Sequence, residues 1–558
     1  MHTSALLFGL VGSVAATAIF PRKAATTTSA LPSVTLDYCT VQAAAGNSSI
    51  GYYKYQNIRY AAVPTGDLRW AKPQWPANET KVNNGSLADA DVDCSSEEDC
   101  LYMDIWVPAN AAGKKLPVAQ WTYGGGFTAG SKSQNTPEGW FNLTTDFIFV
   151  AYNYRLGLTG LVTGPTLQHE GGTSNLGLWD AEHAFLWTRK YISNFGGDPD
   201  QVTAVGFSAG ASNTLFQLTR KAGHAEQLFD RAYVMSPGFV PGAGHHHAER
   251  FWQNVSSAVG CDGGHLSCMR QVNFTTLNTA ATDAVDNYTY QFQPRVDGDF
   301  VADTYESQFY QKRFNFSGPL VITHEQHEAN SVAYSGVNTT ADVSTYLRIF
   351  FPAITDDVVN ELLELYPESD YTSPGLRFAD MKQSLDLTAH NLALTQALDN
   401  NTWNAEVGLS PATHGTDQDY YWYSTYTLES SSETSTGTTT GGTTGTSNST
   451  TGGPSSSTGT TSSNTTSSDN STTTGSSSTT GVGGESSSVN STVAIMMQKY
   501  LLSFILTGNP NTKWPEDKLY WPKYGDNTTQ LIFNDTFSIG KDDLANNRSL
   551  YWNKALWY

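Results

Sequence analysis

The stretch VGFSAGAS (205–212) sets Ser208 between Gly206 and Gly210, directly after the apolar run VTAV. Gly-X-Ser-X-Gly after a strand is the spacing of a sharp strand-to-helix turn that presents a nucleophilic serine. The small flanking residues let the backbone take the strained turn and let the helix pack close to it. Ala209, next in the chain, is placed to aim its backbone N–H at an oxyanion forming on the substrate. Taken alone the motif also fits a plain tight turn. A second stretch, WTYGGGFTAGS (121–131), again ends a strand-like run. Three consecutive glycines allow main-chain N–H groups to converge on one point, as an oxyanion hole requires, and each such donor contributes about 2.7–4 kcal/mol to lowering the barrier. The bland alternative is a flexible loop, but the two stretches together point to acyl transfer.

A serine alcohol needs a base, and the base needs an orienting carboxylate. For a nucleophile on this kind of turn the chain order is serine, acid, histidine. SGPLVITHEQHEANS (317–331) ends a strand-like run with Glu325 and Glu328, either of which could serve as the acid. SPATHGTDQDYYWY (410–423) offers His414 in a polar loop before what reads as an aromatic strand.

These groups must be held by a scaffold, and the chain predicts an α/β fold. LPVAQWTY (116–123) and DFIFVAYNY (146–154) are short apolar, aromatic-rich runs of buried-strand type. Between the second and QVTAV lies a helical pattern, with Leu178, Ala181, Phe185 and Ile192 in period, stopped by Gly196, Gly197 and Pro199. Strand, helix, strand implies a parallel sheet with helical crossovers. From Leu428 to Thr492 the composition collapses to Ser, Thr and Gly. Such a segment buries too little apolar area to offset its ordering entropy, so it is expected to be disordered and O-glycosylated. Beyond it, VAIMMQKYLLSFILTGNPN predicts an amphipathic helix capped by Gly508. The C-terminal pieces are too few to fold alone. The expected organisation is therefore one catalytic domain, 31–427 and 493–558, carrying an insertion at 428–492.

Residues 1–18 read as a signal peptide, their apolar run being shorter than the roughly 18 residues a membrane span needs, with a flexible mature N-terminus at 19–30. No later stretch reads as an integral membrane segment. Seventeen Asn-X-Ser/Thr sequons, from Asn47 to Asn547, fit a secreted glycoprotein. In an oxidising compartment the proximity of Cys94 to Cys100 and of Cys261 to Cys268 makes two local disulfides the economical pairing, leaving Cys39 as either a free buried thiol or a replacement partner in a rearranged pairing. A net charge of −21 disfavours nucleic acid and anionic membranes as partners.

Several longer blocks carry a resemblance. NIRYAAVPTGDLRWAKPQ, SEEDCLYMDIWVP, NYRLGLTG, SNLGLWDAEHAFLWTRKYISNFGGDPDQVTAVGFSAG and FILTGNPNTKWPEDKLYWPKY occur in order. They resemble blocks of the type B carboxylesterases, the family of cholinesterases and several fungal lipases. The resemblance spans nearly all of 34–558 outside the insertion. It implies an α/β-hydrolase fold, with a large, mostly parallel sheet and helices on both faces, and a secreted fungal member. It further implies Ser208 as nucleophile, Glu328 as acid and His414 as base, with oxyanion donors at Gly125, Gly126 and Ala209. Glu328 is taken over Glu325 because THEQHEANS fits the family's xNxDEGS with Glu328 at the last acidic position, although Ala329 stands where Gly is usual. The family's disulfides fall on the same two cysteine pairs. No cofactor is implied; the substrate is a small-molecule ester.

Two departures bear on that substrate. Phe207 occupies the position that is Glu in cholinesterases, which makes the neighbourhood of the serine more apolar and argues against a quaternary ammonium. Only SSEED separates Cys94 from Cys100, where cholinesterases and fungal lipases carry a long loop, so a more open site is expected. Esterase behaviour on neutral, apolar-leaning esters follows, with two alternatives: a lipase for longer acylglycerols, or a catalytically silent binding or adhesion module. The row His245–His247 offers no metal site, because consecutive side chains diverge, and HEQHE (324–328) lacks the i, i+4 histidines of a zinc helix.

Overall fold

The computed structural model describes residues 31–238, 242, 244–288, 290–424 and 489–557. The expected signal peptide, residues 19–30 and the Ser/Thr/Gly-rich segment up to 488 lie outside these.

The apolar runs of the sequence become the strands of one large sheet. Strands β1 (Ser33–Thr35) and β2 (Thr40–Gln42) pair by themselves. The others are β3 (Ala45–Asn47), β4 (Tyr52–Arg59), β5 (Tyr102–Pro108), β6 (Leu116–Thr122), β7 (Ile148–Tyr152), β8 (Gly197–Phe207), β9 (Arg231–Met235), β10 (Leu320–Glu325), β11 (Trp403–Val407), β12 (Thr529–Phe533) and β13 (Ser538–Lys541). They form an 11-stranded sheet in the order β13-β12-β11-β10-β9-β8-β6-β7-β5-β4-β3. From β12 to β7 every neighbouring pair is parallel, and the outer pairs are antiparallel. Parallel strands covered on both faces read as continuous apolar runs, and all five residues of β7 and all six of β10 are buried. This is the α/β-hydrolase architecture.

Three elements differ from the sequence expectation. Strand β8 begins at Gly197, ahead of QVTAV: Gly197 pairs with Leu116, a register shift follows, and regular pairing resumes at Val202 opposite Val118. The irregularity takes up Pro199, whose nitrogen cannot donate to a ladder. The helix past the Ser/Thr-rich segment starts at Ser491, where the Asn490 side chain caps its N-terminus, and it ends at Thr507 before Gly508 at φ 75°. Apart from Leu506 and Thr507 its second half is buried, so it is a core helix more than an amphipathic one. Lastly, DYYWY is no strand. Thr416–Tyr421 is a helix, entered through Gly415 at φ 93° with Asp417 and Asp419 in the first turn, where acidic side chains are favoured. Its last carbonyls, at Tyr420 and Tyr421, and that of Tyr423 beyond it, accept from Gln498 Nε2, and Tyr421 O also accepts from Trp140 Nε1. A buried Gln from the far side of the Ser/Thr-rich segment therefore satisfies the helix end that follows His414.

Among the described residues, the core holds an acid with a buried carboxyl oxygen that no donor reaches. Glu306, in the helix Tyr305–Tyr310, is 3% exposed and its Oε2 has no hydrogen-bond partner among the described residues. Burial, aided by Asp303, pushes its carboxyl up to about 8. The unfolded chain ionises this group near the ordinary Glu value, so the folded state binds the extra proton and loses stability as pH rises from about 4.5 to 8. Glu306→Gln is isosteric and does not titrate. Its stability relative to the parent should rise by about 4 kcal/mol between pH 4 and pH 8, read from urea unfolding at both pH values; an equal difference at both would contradict the burial of a neutral acid.

Candidate active site

The strands bring the sequence candidates to one end of the parallel sheet. Ser208 follows β8 and precedes the helix Ala209–Thr219. Its backbone sits at φ 53°, ψ −123°, a strained conformation held by Ser208 N donating to Met235 O at 3.0 Å. The flanking glycines are required by close approach. A Cβ on Gly206 would lie 2.7 Å from the Gly210 carbonyl carbon, and one on Gly210 would lie 2.0 Å from Thr122 O. Glu328 lies in the turn after β10 and His414 in the loop after β11.

The three side chains form one line of hydrogen bonds. His414 Nε2 is 2.8 Å from Ser208 Oγ, and His414 Nδ1 is 2.6 Å from Glu328 Oε2. A proton on Nδ1 donated to Glu328 leaves Nε2 to accept from the serine hydroxyl. Ser208 and Glu328 are buried, whereas the His414 side chain is 28% exposed, which leaves an approach to the imidazole. Burial works to lower the His414 pKa, but the Glu328 carboxylate beside it, with a further contribution from Asp417, outweighs this and holds it above the usual histidine value.

The acid is fixed from several sides. Glu325 N donates to Glu328 Oε1 at 2.8 Å, and His414 N donates to the Glu328 carbonyl at 3.0 Å. Ala329 N and Asn330 N both donate to Gln383 Oε1. Ala329 does not have positive φ, so this turn makes no demand for the glycine usual there. Glu325, the other acid of the sequence reading, turns instead to Asp417, accepting from its backbone N–H at 2.7 Å.

The glycine stretch lies against the serine: a Cβ on Gly124 would meet Ser208 Cβ at 2.8 Å. Gly125 (φ 115°) and Gly126 (φ 61°) both have left-handed backbones, and a side chain on Gly125 would run into Ala129 O at 2.2 Å. Phe207 is not directed only toward a substrate. Its ring stacks on the His414 imidazole, centroids 4.9 Å apart and planes 28° apart, and a Cβ on Gly124 would touch it at 3.0 Å. The apolar ring thus packs between the glycine stretch and the imidazole.

Sequence reasoning missed Gly238 and Leu387, which belong to different parts of the chain. A Cβ on Gly238 would stand 4.0 Å from Ser208 Oγ and 2.8 Å from Leu387 Cδ2, so both border the space above the nucleophile. It also missed Asp417, for which the signal was an acid three residues past His414 in a helix first turn. The helix that carries Asp417 is anchored by Trp422, stacked on Trp140 at 4.4 Å and edge-on to Trp121 at 4.7 Å. Disulfides join Cys94 to Cys100 and Cys261 to Cys268, and Cys39 is a buried free thiol, pushed up to about 12 by that burial.

Comparison with known proteins identifies the family and the fold. A model of the carboxylesterase family matches residues 31–552. Carboxylesterase patB of Penicillium expansum is 25% identical over 94% of this chain and 96% of its own length. A secreted lipase of Arthroderma benhamiae is 30% identical over 59% of this chain and 67% of its own. Among solved structures, Aspergillus niger EstA superposes with a TM-score of 0.74 at 22% identity, over 95% of this chain and 98% of the other.

Proposed function

The chain belongs to the carboxylesterase family and is a carboxylic ester hydrolase, and on that premise we propose that it works through Ser208, His414 and Glu328 on neutral, apolar-leaning esters outside the cell. The observation that carries this reading is the unbroken line from Ser208 Oγ through the imidazole to Glu328.

In the first half-reaction His414 Nε2 takes the Ser208 proton as Oγ bonds to the ester carbonyl carbon. The carbonyl oxygen becomes an oxyanion facing the N–H groups of Gly125, Gly126 and Ala209. Collapse breaks the bond to the alkoxy oxygen, which leaves as the alcohol with the proton from His414. Water then gives its proton to His414, attacks the acyl-enzyme, and releases the carboxylic acid as Ser208 regains its hydrogen. Glu328 holds the Nδ1 tautomer throughout and stabilises the imidazolium.

The preference for neutral substrates rests on Phe207, which puts an aromatic ring, stacked on the imidazole, at the position before the nucleophile where a glutamate would add a carboxylate. The short span between Cys94 and Cys100, joined by a disulfide, favours soluble esters over interfaces. Two measurements check this. A short neutral ester should be hydrolysed at least tenfold faster, in kcat/KM, than the choline ester of the same acid. The rate on a short triglyceride should saturate smoothly through its solubility limit; a sharp jump there would instead mark a lipase. The secreted location is supported by the apolar leader, the seventeen sequons and the secreted lipase relative; no described helix is long and apolar enough to cross a membrane. A single catalytic domain interrupted at 428–492 is supported by β11 pairing with β12 across that segment.

A further inference from the structure

A second pair of acids lies under the His414 loop and takes no part in the line of Ser208, His414 and Glu328. Glu325 is 1% exposed and Asp417 is wholly buried. Asp417 N donates to Glu325 Oε1 at 2.7 Å, and the two carboxyl groups lie within hydrogen-bonding reach of each other where the helix Thr416–Tyr421 starts. One oxygen on each, Glu325 Oε2 and Asp417 Oδ2, is buried without a hydrogen-bond partner. Two adjacent ionised carboxylates would leave both oxygens without a donor and would repel each other; a single proton placed between them satisfies both. The surroundings say which residue keeps it. Asp417 Oδ1 accepts from Gln418 Nε2 at 3.0 Å, a donor that favours the ionised form, while Glu325 also faces the Glu328 carboxylate, to which its own backbone N–H is bonded.

We propose that Glu325 stays protonated and donates a hydrogen bond to an ionised Asp417, making the pair a positioning unit that holds the His414 loop and sets one additional negative charge against the imidazole. The pair rests on the assignment of His414 as base, and acts through it without touching substrate. The groups acting on the pair are Glu328 and His414, together with the phenols of Tyr233, Tyr420 and Tyr421. Burial raises both acids, Glu325 well above the ordinary Glu value and Asp417 to about 6, and the Asp417 charge in turn raises His414. The imidazolium formed during each half-reaction would thus face two carboxylates, Glu328 in direct contact and Asp417 behind it, with the apolar Phe207 ring stacked on the imidazole.

The test is the pH profile of kcat/KM on a short neutral ester, whose acid limb reports deprotonation of His414 in the free enzyme. Asp417→Asn removes the charge, and the acid limb should move down by about 0.5–1 pH unit. Glu325→Gln keeps a donor toward Asp417 and keeps the charge, so the limb should stay within about 0.2 unit of the parent by the same argument. Equal downward shifts in both variants would mean two ionised acids, and no shift in Asp417→Asn would mean the pair does not act on the base; either result overturns the proposal. Infrared spectra of the full-length protein at pH 7 need no activity and so separate this idea from the assignment of the nucleophile. In difference spectra, where the band of the neutral Glu306 common to all variants cancels, parent minus Glu325→Gln should show the carbonyl band of a buried protonated acid and parent minus Asp417→Asn should show no loss of it; absence of the band from the first difference would also overturn the proposal.

Discussion

Ser208→Ala lowers kcat on a short neutral ester by about 10⁵–10⁶-fold, the loss expected when the nucleophile of a serine hydrolase is removed from otherwise intact machinery. The structure gives reasons for a loss of that size with little change in folding. Ser208 Oγ points at His414 and makes no other hydrogen bond among the described residues; the turn is held by Ser208 N to Met235 O and by the tight packing of Gly206 and Gly210. Alanine adopts the same backbone conformation at no greater steric cost than serine. Thermal unfolding should therefore stay within about 1 kcal/mol of the parent. Residual turnover, about 10³–10⁴-fold above water, should persist if Gly125, Gly126 and Ala209 still hold the carbonyl oxygen. A loss of less than tenfold would remove Ser208 from the chemistry.

Glu328→Gln produces the second largest effect, about 10³–10⁴-fold in kcat. Two arguments lead there. Glu328 Oε2 sits 2.6 Å from Nδ1, and a glutamine amide can turn its NH₂ to that nitrogen, which forces the proton onto Nε2 and leaves the base unable to accept from Ser208. Removing the carboxylate also removes the main group that raises His414 against the effect of burial. The acid limb of kcat/KM should then fall to lower pH even as the plateau drops. Because the folded pKa of His414 is raised, its stabilising ion pair is fully present below the ordinary histidine value and fades as pH rises through the folded one. Glu328→Gln should lose that stability mainly on the acidic side. If the plateau falls and the limb stays in place, Glu328 is structural and orients nothing.

Much of this site was legible because its parts are local. Gly206-Phe207-Ser208-Ala209-Gly210 announces the turn, since only glycine fits where a Cβ on residue 210 would run into Thr122 O. The apolar runs 116–123 and 146–154 announce β6 and β7 because both faces of those strands are buried. What was hidden depends on distant partners. DYYWY has strand composition, and Tyr420 and Tyr421 end a helix because Gln498, 77–78 residues away, and Trp140 serve its carbonyls. Phe207 read as a substrate-facing residue because its contact, His414, lies more than 200 residues downstream. Glu325 and Glu328 could not be separated by spacing alone; the turn after β10 sends one carboxylate to the imidazole and the other to Asp417. Gly238 and Leu387 carry no motif, and only the fold brings them near Ser208 Oγ.

The most direct test of the central claim is covalent. Incubation with a fluorophosphonate probe followed by intact-mass and peptide mass analysis should show one adduct per chain, located on Ser208. Labelling should slow steeply in His414→Ala and vanish in Ser208→Ala. An adduct that persists in Ser208→Ala, or a parent protein that hydrolyses esters yet takes no label at Ser208, would contradict the account.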